Sequence, residues 1–333
     1  MAASGPAGGP SVFGPVPSRR LGRSLGIDNV PAKTCDYGCV YCQVGTTRVM
    51  QAERTTLYPP WAVVEAVSGR VGQLRELGET VDYLTFVPTG EPTLDVHLGR
   101  EIRELAVLGL LIAVITNGSL VQRPDVRAEL GAADWVSVKV DAVDARTWRR
   151  INRPHGGLVL DEILDGLREF ARQYDGTLGT ETMLVRGLND DDETLRTVAA
   201  FLAELGPDVA YVSVPTRPPA RADVVPPPAG RLNRAFQVFS AALDRVELLL
   251  GYEGDAFGAT GDAATDLLSI TAVHPMRTSA VADLLARDGA DWSVVDPLLA
   301  AGDLVAVDHG GETYYLRRAR REPRSPDTRR NRS

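Results

Sequence analysis

Between Leu25 and Leu250 the chain alternates short β-branched apolar runs with longer amphipathic stretches, and no other feature restricts its fold as much. The apolar runs read as strands at Tyr83–Val87, Leu111–Thr116, Trp135–Val140, Leu178–Val185 and Val209–Val214, with a shorter one near Leu25–Asp28. Helical spacing fills the intervals at Pro60–Gly78, Asp95–Gly109, Pro124–Gly131, Leu160–Tyr174 and Asp191–Leu205, and Ala229–Leu250 follows the last strand. Six strand–helix repeats in series imply an α/β fold with a parallel sheet and right-handed crossovers. Six units fall short of a closed eight-fold barrel, so a partial (β/α)6 TIM-like barrel or a doubly wound sheet is expected. Either architecture places a ligand at the C-terminal ends of the strands.

The flanks differ in texture. Residues 1–12 are small residues, Gly and Pro, and read as disordered, leaving 13–255 for the barrel. Within it, Pro215–Gly230 contains six prolines and reads either as a stiff linker or as a strap that closes over an anionic substrate with Arg217 and Arg221. Residues 260–316 read as helices Asp262–Ile270, Thr278–Asp288 and Asp291–Ala301 followed by a hairpin, the order of a winged helix. Nine acids and two arginines across Asp262–Leu316 leave that unit without the cations a DNA reader needs, so a structural or protein-contact role is expected. Residues 317–333 form a basic tail, read as disordered.

Net charge is −8, and the tail holds eight Arg against two acids, so the other 316 residues carry −14. An acidic body does not favour a nucleic-acid surface, and nucleic acid is expected only through the tail or a local patch. The longest apolar stretch, Leu105–Ile115, has 11 residues, too short to span a bilayer, and no secretion signal is apparent, so the chain reads as cytoplasmic.

Three cysteines in 333 residues exclude a disulfide scaffold, and all three, Cys35, Cys39 and Cys42, lie within eight residues after the first strand. A structural zinc site wants a fourth ligand at suitable spacing, and a dithiol redox site leaves Cys35 unexplained. A 4Fe-4S cluster held by three thiolates, with one iron open to an outside ligand, is favoured by the pattern. Of 36 Lys+Arg only two are lysines, Lys33 and Lys139, and both fall near this loop or the mouth it faces, which makes them candidates for electrostatic or substrate-contact roles. Arg19, Arg20 and Arg23 form one cationic group and Arg149, Arg150 and Arg153 another, and either suits phosphate or carboxylate, in a sequence where Arg is the default cation.

Cys35-Asp-Tyr-Gly-Cys39-Val-Tyr41-Cys42 resembles the signature of radical S-adenosylmethionine (SAM) enzymes. The resemblance implies a partial barrel in which the cluster's open iron binds SAM. An electron then splits the sulfonium to methionine and a 5′-deoxyadenosyl radical that abstracts hydrogen from a substrate. It also implies an external electron donor such as flavodoxin or ferredoxin. Thr89-Gly90-Glu91-Pro92 is similar to the Gly-Gly-Glu motif that meets the SAM amino group, with Thr in place of the first Gly. By the same resemblance Tyr41, Gly90, Glu91, Asn117, Ser137, Lys139, Asp141 and Asn189 are cofactor-site residues, and Val212-Ser213-Val214 flanks adenine. Read by itself, Asn189 is equally an N-cap.

Phe13–Gly26, Pro31–Cys35, Arg149–Pro154, Val185–Asp190 and Thr216–Pro219 resemble the branch related to the wyosine synthases of tRNA. Those enzymes carry a second cluster, for which this chain has no cysteine left. Three functions follow as expectations. They are a radical SAM enzyme on an unidentified small or peptide-borne substrate, possibly an anionic one, a tRNA-modifying enzyme anchored by the tail, and a non-enzymatic iron–sulfur sensor.

Overall fold

The computed structural model describes residues 9–250 and 257–318. The frame is one eight-stranded sheet whose spatial order follows the chain. Its strands are β1 (Ser11–Ser18), β2 (Gly22–Asp28), β3 (Tyr83–Phe86), β4 (Leu111–Thr116), β5 (Trp135–Lys139), β6 (Thr177–Met183), β7 (Val209–Ser213) and β8 (Val246–Leu249). β1 runs antiparallel to β2, and every later neighbour pairs in parallel. The expectation of six strands is therefore corrected at both edges. Ser11 and Val12, at the end of the stretch read as disordered, are already strand, while residues 1–8 lie outside the described residues. Ala229–Leu250 contains a helix and then β8.

Helices α1 (Pro60–Glu76), α2 (Leu98–Leu105), α3 (Pro124–Leu130), α4 (Ala145–Ile151), α5 (Leu160–Gln173), α6 (Asp192–Leu205) and α7 (Ala229–Ser240) fill the crossovers. α1 starts on Pro60, whose missing N–H is no loss at a helix start, and buries Val63, Val67, Val71 and Leu74 along one stripe. α6 opens on Asp191, which accepts from the N–H groups of Glu193 and Thr194. The N-cap is thus Asp191 and not Asn189. α4 has no counterpart among the expected helices; Asp144 caps it and Trp148 is its buried anchor.

These helices pack on one side of the sheet against Leu84, Phe86, Val114, Val136, Val138 and Val212. Strand alternation sends their neighbours to the opposite, inner face. There Leu21, Ala113, Trp135, Val209 and Tyr211 make a small apolar floor, and polar residues follow toward the C-terminal strand ends. A parallel sheet buried on both faces and lined with polar groups on one is a frame for a ligand rather than a solid core.

Beyond Phe257 a second core gathers on helices α8 (Ala263–Val273), α9 (Thr278–Arg287) and α10 (Val295–Ala301). A three-stranded sheet orders Met276–Arg277, Glu312–Arg317 and Leu304–His309, with the Glu312–Arg317 strand in the middle. Val16 of β1 packs into this core, and Arg70 of α1 pairs with Asp266 at 3.3 Å. Arg317 ends the middle strand, and 319–333 of the expected basic tail lie outside the described residues.

Candidate active site

The loop after β2 carries all three cysteines, each with a free, half-buried thiol. Thr34–Cys35 forms a short parallel ladder with Val49–Met50, which returns the chain alongside the loop. Behind it, Gly90 is pressed against the loop so closely that a Cβ would lie 1.8 Å from the Thr34 carbonyl oxygen. Only glycine fits there.

Side-chain amides reach two of the sulfurs. Asn117 Nδ2 lies 3.8 Å from Cys35 Sγ, and Asn152 Nδ2 lies 3.5 Å from Cys39 Sγ. The Tyr37 N–H also donates to Cys35 Sγ, at 3.4 Å. Burial, then the carboxyls of Asp36 and Glu91, pushes the Cys35 thiol well above its ordinary pKa, and burial with Asp141 pushes Cys39 up to about 12. Positive metal charge is what turns such thiols into thiolates. Among the described residues no three His, Cys, Asp or Glu side chains are placed to hold a single metal ion. Three soft donors with N–H groups beside the sulfur suit an iron–sulfur cluster.

Next to the cysteines, Asp36 is fully buried and accepts from Asn117 Nδ2 at 2.6 Å and from the Ser119 hydroxyl. Burial and the nearby Glu91 raise its carboxyl to about 7. Glu91 is buried as well. It takes the Thr93 N–H at 3.0 Å, the Thr93 and Thr116 hydroxyls at 2.6 Å each, and the Asn117 N–H at 2.8 Å. Its carboxyl is thus a bracket tying the ends of β3 and β4, with Oε1 taking three of these donors and Oε2 one. Thr89, which replaces the first Gly of the resembled motif, bonds Asp28 through both its N–H (3.1 Å) and its hydroxyl (3.0 Å).

The inner face rises from Ser137, buried within β5, to Lys139 at its end and Asp141 beyond. Lys139 Nζ lies 3.1 Å from Glu181 Oε1, 3.8 Å from Asp141 Oδ1 and 4.8 Å from the centre of the Tyr41 ring. Burial alone would lower the lysine's pKa, but Asp141 and Glu181 outweigh it and raise it. Burial likewise opposes the Glu181 charge, yet Lys139, Arg20 and Ser213 hold that carboxyl down at about 2. Arg20 reaches Glu181 Oε2 at 2.8 Å and Ser213 Oγ donates to Oε1 at 2.8 Å. Tyr41, its hydroxyl kept protonated mainly by burial, donates to Asp141, which also accepts from Asn152 Nδ2 at 2.7 Å and the Met183 N–H at 2.8 Å. Asn189 is spent on backbone, accepting from the Val185 N–H at 2.8 Å and donating to the Asp141 and Met183 carbonyls at 2.9 Å each.

Tyr41, Gly90, Glu91, Asn117, Lys139, Asp141 and Asn189 therefore converge around the cysteine loop, and Ser137 sits two residues deeper. Lys33 adjoins the loop from the other end, its Nζ against Gly45. Burial lowers its pKa to about 8 in spite of Cys42 and Asp28. The Pro-rich stretch is no free linker: Val224 is buried with Val40, Tyr41 and Ile151, and the Arg221 N–H donates to the Val40 carbonyl at 3.2 Å. Asp36, Asn152 and Glu181 were not singled out for the site by the sequence, whereas Arg20 belongs to a cationic group that was. Asp36 and Asn152 lie inside quoted motifs, and Glu181 is a lone acid at an inward position of an apolar strand. Arg149, Arg150 and Arg153 are exposed, with Arg153 packed beside Gly38 of the loop and Arg150 donating to the Gly187 carbonyl at 3.3 Å.

Comparison with known proteins adds to this geometry. A family model described as the Radical SAM superfamily matches residues 29–198. A UPF0026 protein of Methanocaldococcus jannaschii is 41% identical over 307 residues, covering 92% of this chain and 95% of its own. A UPF0026 protein of Helicobacter pylori is 34% identical over 210 residues, covering 62% of this chain and 66% of its own. Among solved structures, a radical SAM methyltransferase from Sphaerobacter thermophilus is similar over 68% of this chain and 66% of that one, with 18% identity and a TM-score of 0.49.

Proposed function

Because the chain belongs to the radical SAM superfamily, whose members are enzymes of SAM-dependent radical chemistry, we propose that Cys35, Cys39 and Cys42 bind one 4Fe-4S cluster and that SAM is held between this loop and the inner face of the sheet. When bound, the cluster supplies the electron that cleaves SAM to methionine and a 5′-deoxyadenosyl radical for hydrogen abstraction. This chain's own residues position and shield. Lys139, kept charged by Asp141 and Glu181, presents a cation to the carboxylate of SAM or to the substrate. Tyr41, Asp141 and Asn152 lock one another in place, so the loop and the end of β5 hold a fixed spacing. Glu91 fixes the ends of β3 and β4 behind the loop, and the strap at Val224 covers it from above, limiting water.

The observation that carries this reading is three half-buried thiols within eight residues, two of them touched by side-chain amides, at the C-terminal edge of a parallel sheet. On the inner face Arg20 and Lys139 stand beside Glu181 and Asp141, so a polyphosphate chain would meet carboxylates there along with the cations. We therefore place a small or peptide-borne substrate ahead of tRNA; a modified base missing from the tRNA of a deletion strain would reverse that order. Anaerobic incubation with iron, sulfide, SAM and dithionite tests the main reading. The wild type should show iron–sulfur absorbance and form 5′-deoxyadenosine, and Cys39→Ala should do neither. An intact wild-type cluster that never cleaves SAM sinks the enzyme reading.

A further inference from the structure

Two residues other than glycine hold a positive φ among the described residues, Arg153 at +47° and Lys33 at +65°, and Lys33 opens the cysteine loop. Lys33 is the third residue of a turn that the Thr34 N–H closes on the Pro31 carbonyl at 3.0 Å, a place where glycine or asparagine is the ordinary occupant. Its carbonyl accepts from the Arg48 and Val49 N–H groups at 2.9 and 3.1 Å, which ties the far end of the loop back to its start. A glycine would make the same bonds without strain, so the backbone gives no reason for a lysine here. The reason lies in the side chain.

That side chain is half-buried, and its Nζ stands 3.6 Å from where a Gly45 Cβ would be. Gly45 closes the turn that leaves the last cysteine, its N–H on the Cys42 carbonyl at 3.1 Å, and the Cys42 N–H donates to the Cys39 carbonyl at 3.2 Å. The two ionisable groups whose charge reaches the ammonium are Cys42 and Asp28. Asp28 spends one oxygen on the Thr89 N–H and the other on the Thr89 hydroxyl, and Lys33 Nζ makes no hydrogen bond or ion pair among the described residues. Lys139 differs, since Glu181 pairs with it at 3.1 Å. Of 36 Lys+Arg only these two are lysines, and lysine supplies a compact point charge where arginine supplies a planar fork suited to a carboxylate.

We propose that Lys33 is a positioning residue for electron uptake, its ammonium acting as a fixed counter-charge that stabilises the reduced cluster. The inference rests on the cluster reading above. A cluster held by three thiolates carries negative charge, and one electron taken from a reductant makes it more negative, with no bond made or broken. A cation fixed beside Cys42, in half-buried surroundings where water screens it weakly, favours the reduced form and raises the reduction potential.

The test is an EPR-monitored reductive titration with dithionite and mediators, on the reconstituted full chain without SAM, in Lys33→Gln, Lys33→Arg, Gly45→Asp and Gly45→Asn. Gly45→Asp keeps Lys33 and sets a carboxylate against it, while Gly45→Asn shares the same backbone strain at φ +88° without the charge. Lys33→Gln should lose about tenfold in the equilibrium constant for reduction, a midpoint about 59 mV more negative. Gly45→Asp should shift the same way, Lys33→Arg and Gly45→Asn should stay near wild type, and added salt should narrow the gaps. A Lys33→Gln midpoint equal to wild type overturns the proposal. So does a shift in Lys33→Arg as large as in Lys33→Gln, or in Gly45→Asn as large as in Gly45→Asp, since shape and not charge would then be at work. Iron content and thermal unfolding report on the fold, and if Lys33→Gln takes up no cluster the Gly45 pair decides. A wild type that takes up no cluster overturns the cluster reading and this proposal together, whereas a wild-type cluster with unmoved variants overturns this proposal alone.

Discussion

Replacing Gly90 by alanine isolates the close approach on which the cysteine loop depends. The added Cβ would stand 1.8 Å from the Thr34 carbonyl oxygen and 2.9 Å from Val30 Cγ2. Thr34 precedes Cys35 in a strand ladder, and its carbonyl already accepts the Glu91 N–H at 3.1 Å. Backbone on both sides therefore has to move by more than an ångström. Overpacking of this kind costs about 1–3 kcal/mol, and breaking the Glu91–Thr34 bond adds about 1 kcal/mol. The sum, about 2–4 kcal/mol, corresponds to a midpoint roughly 3–6 °C lower for a chain of this size. Gly38→Ala is the matched control, because its Cβ meets nothing closer than 3.4 Å. Its loss of unfolded-state entropy should stabilise by about 0.4–1 kcal/mol. Thermal unfolding by circular dichroism and iron content after reconstitution read both variants. Gly90→Ala should melt early and bind less iron, and Gly38→Ala should match or exceed wild type. A Gly90→Ala protein with an unshifted midpoint and full iron would refute the packing argument.

Three further outcomes are open to measurement. Glu101 is fully buried, and burial raises its carboxyl from 4.5 to about 9, so the stability it confers is complete below pH 4.5 and is lost as pH climbs toward 9. Wild-type stability should thus fall with pH across that window by up to about 1.4 kcal/mol per pH unit, and Glu101→Gln should flatten the slope in chemical denaturation. Glu181 works in the opposite sense: its pKa is held at about 2 against an ordinary 4.5, so its contribution is full above pH 4.5 and disappears as pH falls toward 2. The melting-temperature gap between wild type and Glu181→Gln should accordingly be widest near pH 6 and close on acidification; a gap that does not depend on pH would contradict the Arg20–Glu181–Lys139 account. Asn117→Ala removes an N–H from the Cys35 sulfur, and since such donors favour the more negative, reduced cluster, its reduction potential should become more negative in an EPR-monitored titration.

The sequence made some of this legible and concealed the rest for identifiable reasons. Strands β3 to β7 announce themselves because a doubly covered parallel strand is a continuous apolar run, as in Leu111–Thr116. β1 does not, because Gly14, Pro15 and Pro17 break its pattern and its antiparallel partner is found only in three dimensions. β8 hides behind α7 for a related reason: at four half-buried residues it is too short to separate from a helix end. The cysteine loop was visible because three soft ligands in eight residues have few other uses. The function of the polar groups around it was not, because residue type does not reveal a partner. Glu91 and Asn189 look like free ligands in sequence, yet Glu91 accepts from backbone N–H and hydroxyl groups while Asn189 accepts one backbone N–H and donates to two carbonyls. Glu181 looks like a misplaced acid in an apolar strand until Arg20, from the turn between β1 and β2, reaches it.

That long-range economy extends to the C-terminal unit. Its core takes in Val16, and its surface pairs Asp266 with Arg70 and Arg287 with Glu79, so it is fixed to β1 and α1 at a distance from the cysteines. From there it reaches the strap twice. Tyr314 donates its hydroxyl to the Thr216 carbonyl at 3.1 Å, and His274 Nε2 lies 3.0 Å from an Arg217 guanidinium nitrogen. Burial, then the Arg217 charge, drives the His274 pKa well below its ordinary value, so the ring is neutral and accepts from the guanidinium. The other end of Arg217 donates to Gln43 Oε1 at 2.7 Å, one residue past Cys42. A continuous line of contacts thus runs from α1 through the C-terminal core and the strap to the last cysteine. Because its middle link joins a buried neutral histidine to arginine, protonating His274 would set two cations face to face. The C-terminal unit is in this sense joined to the cysteine loop, through Arg217, by a residue more than 200 positions away in sequence.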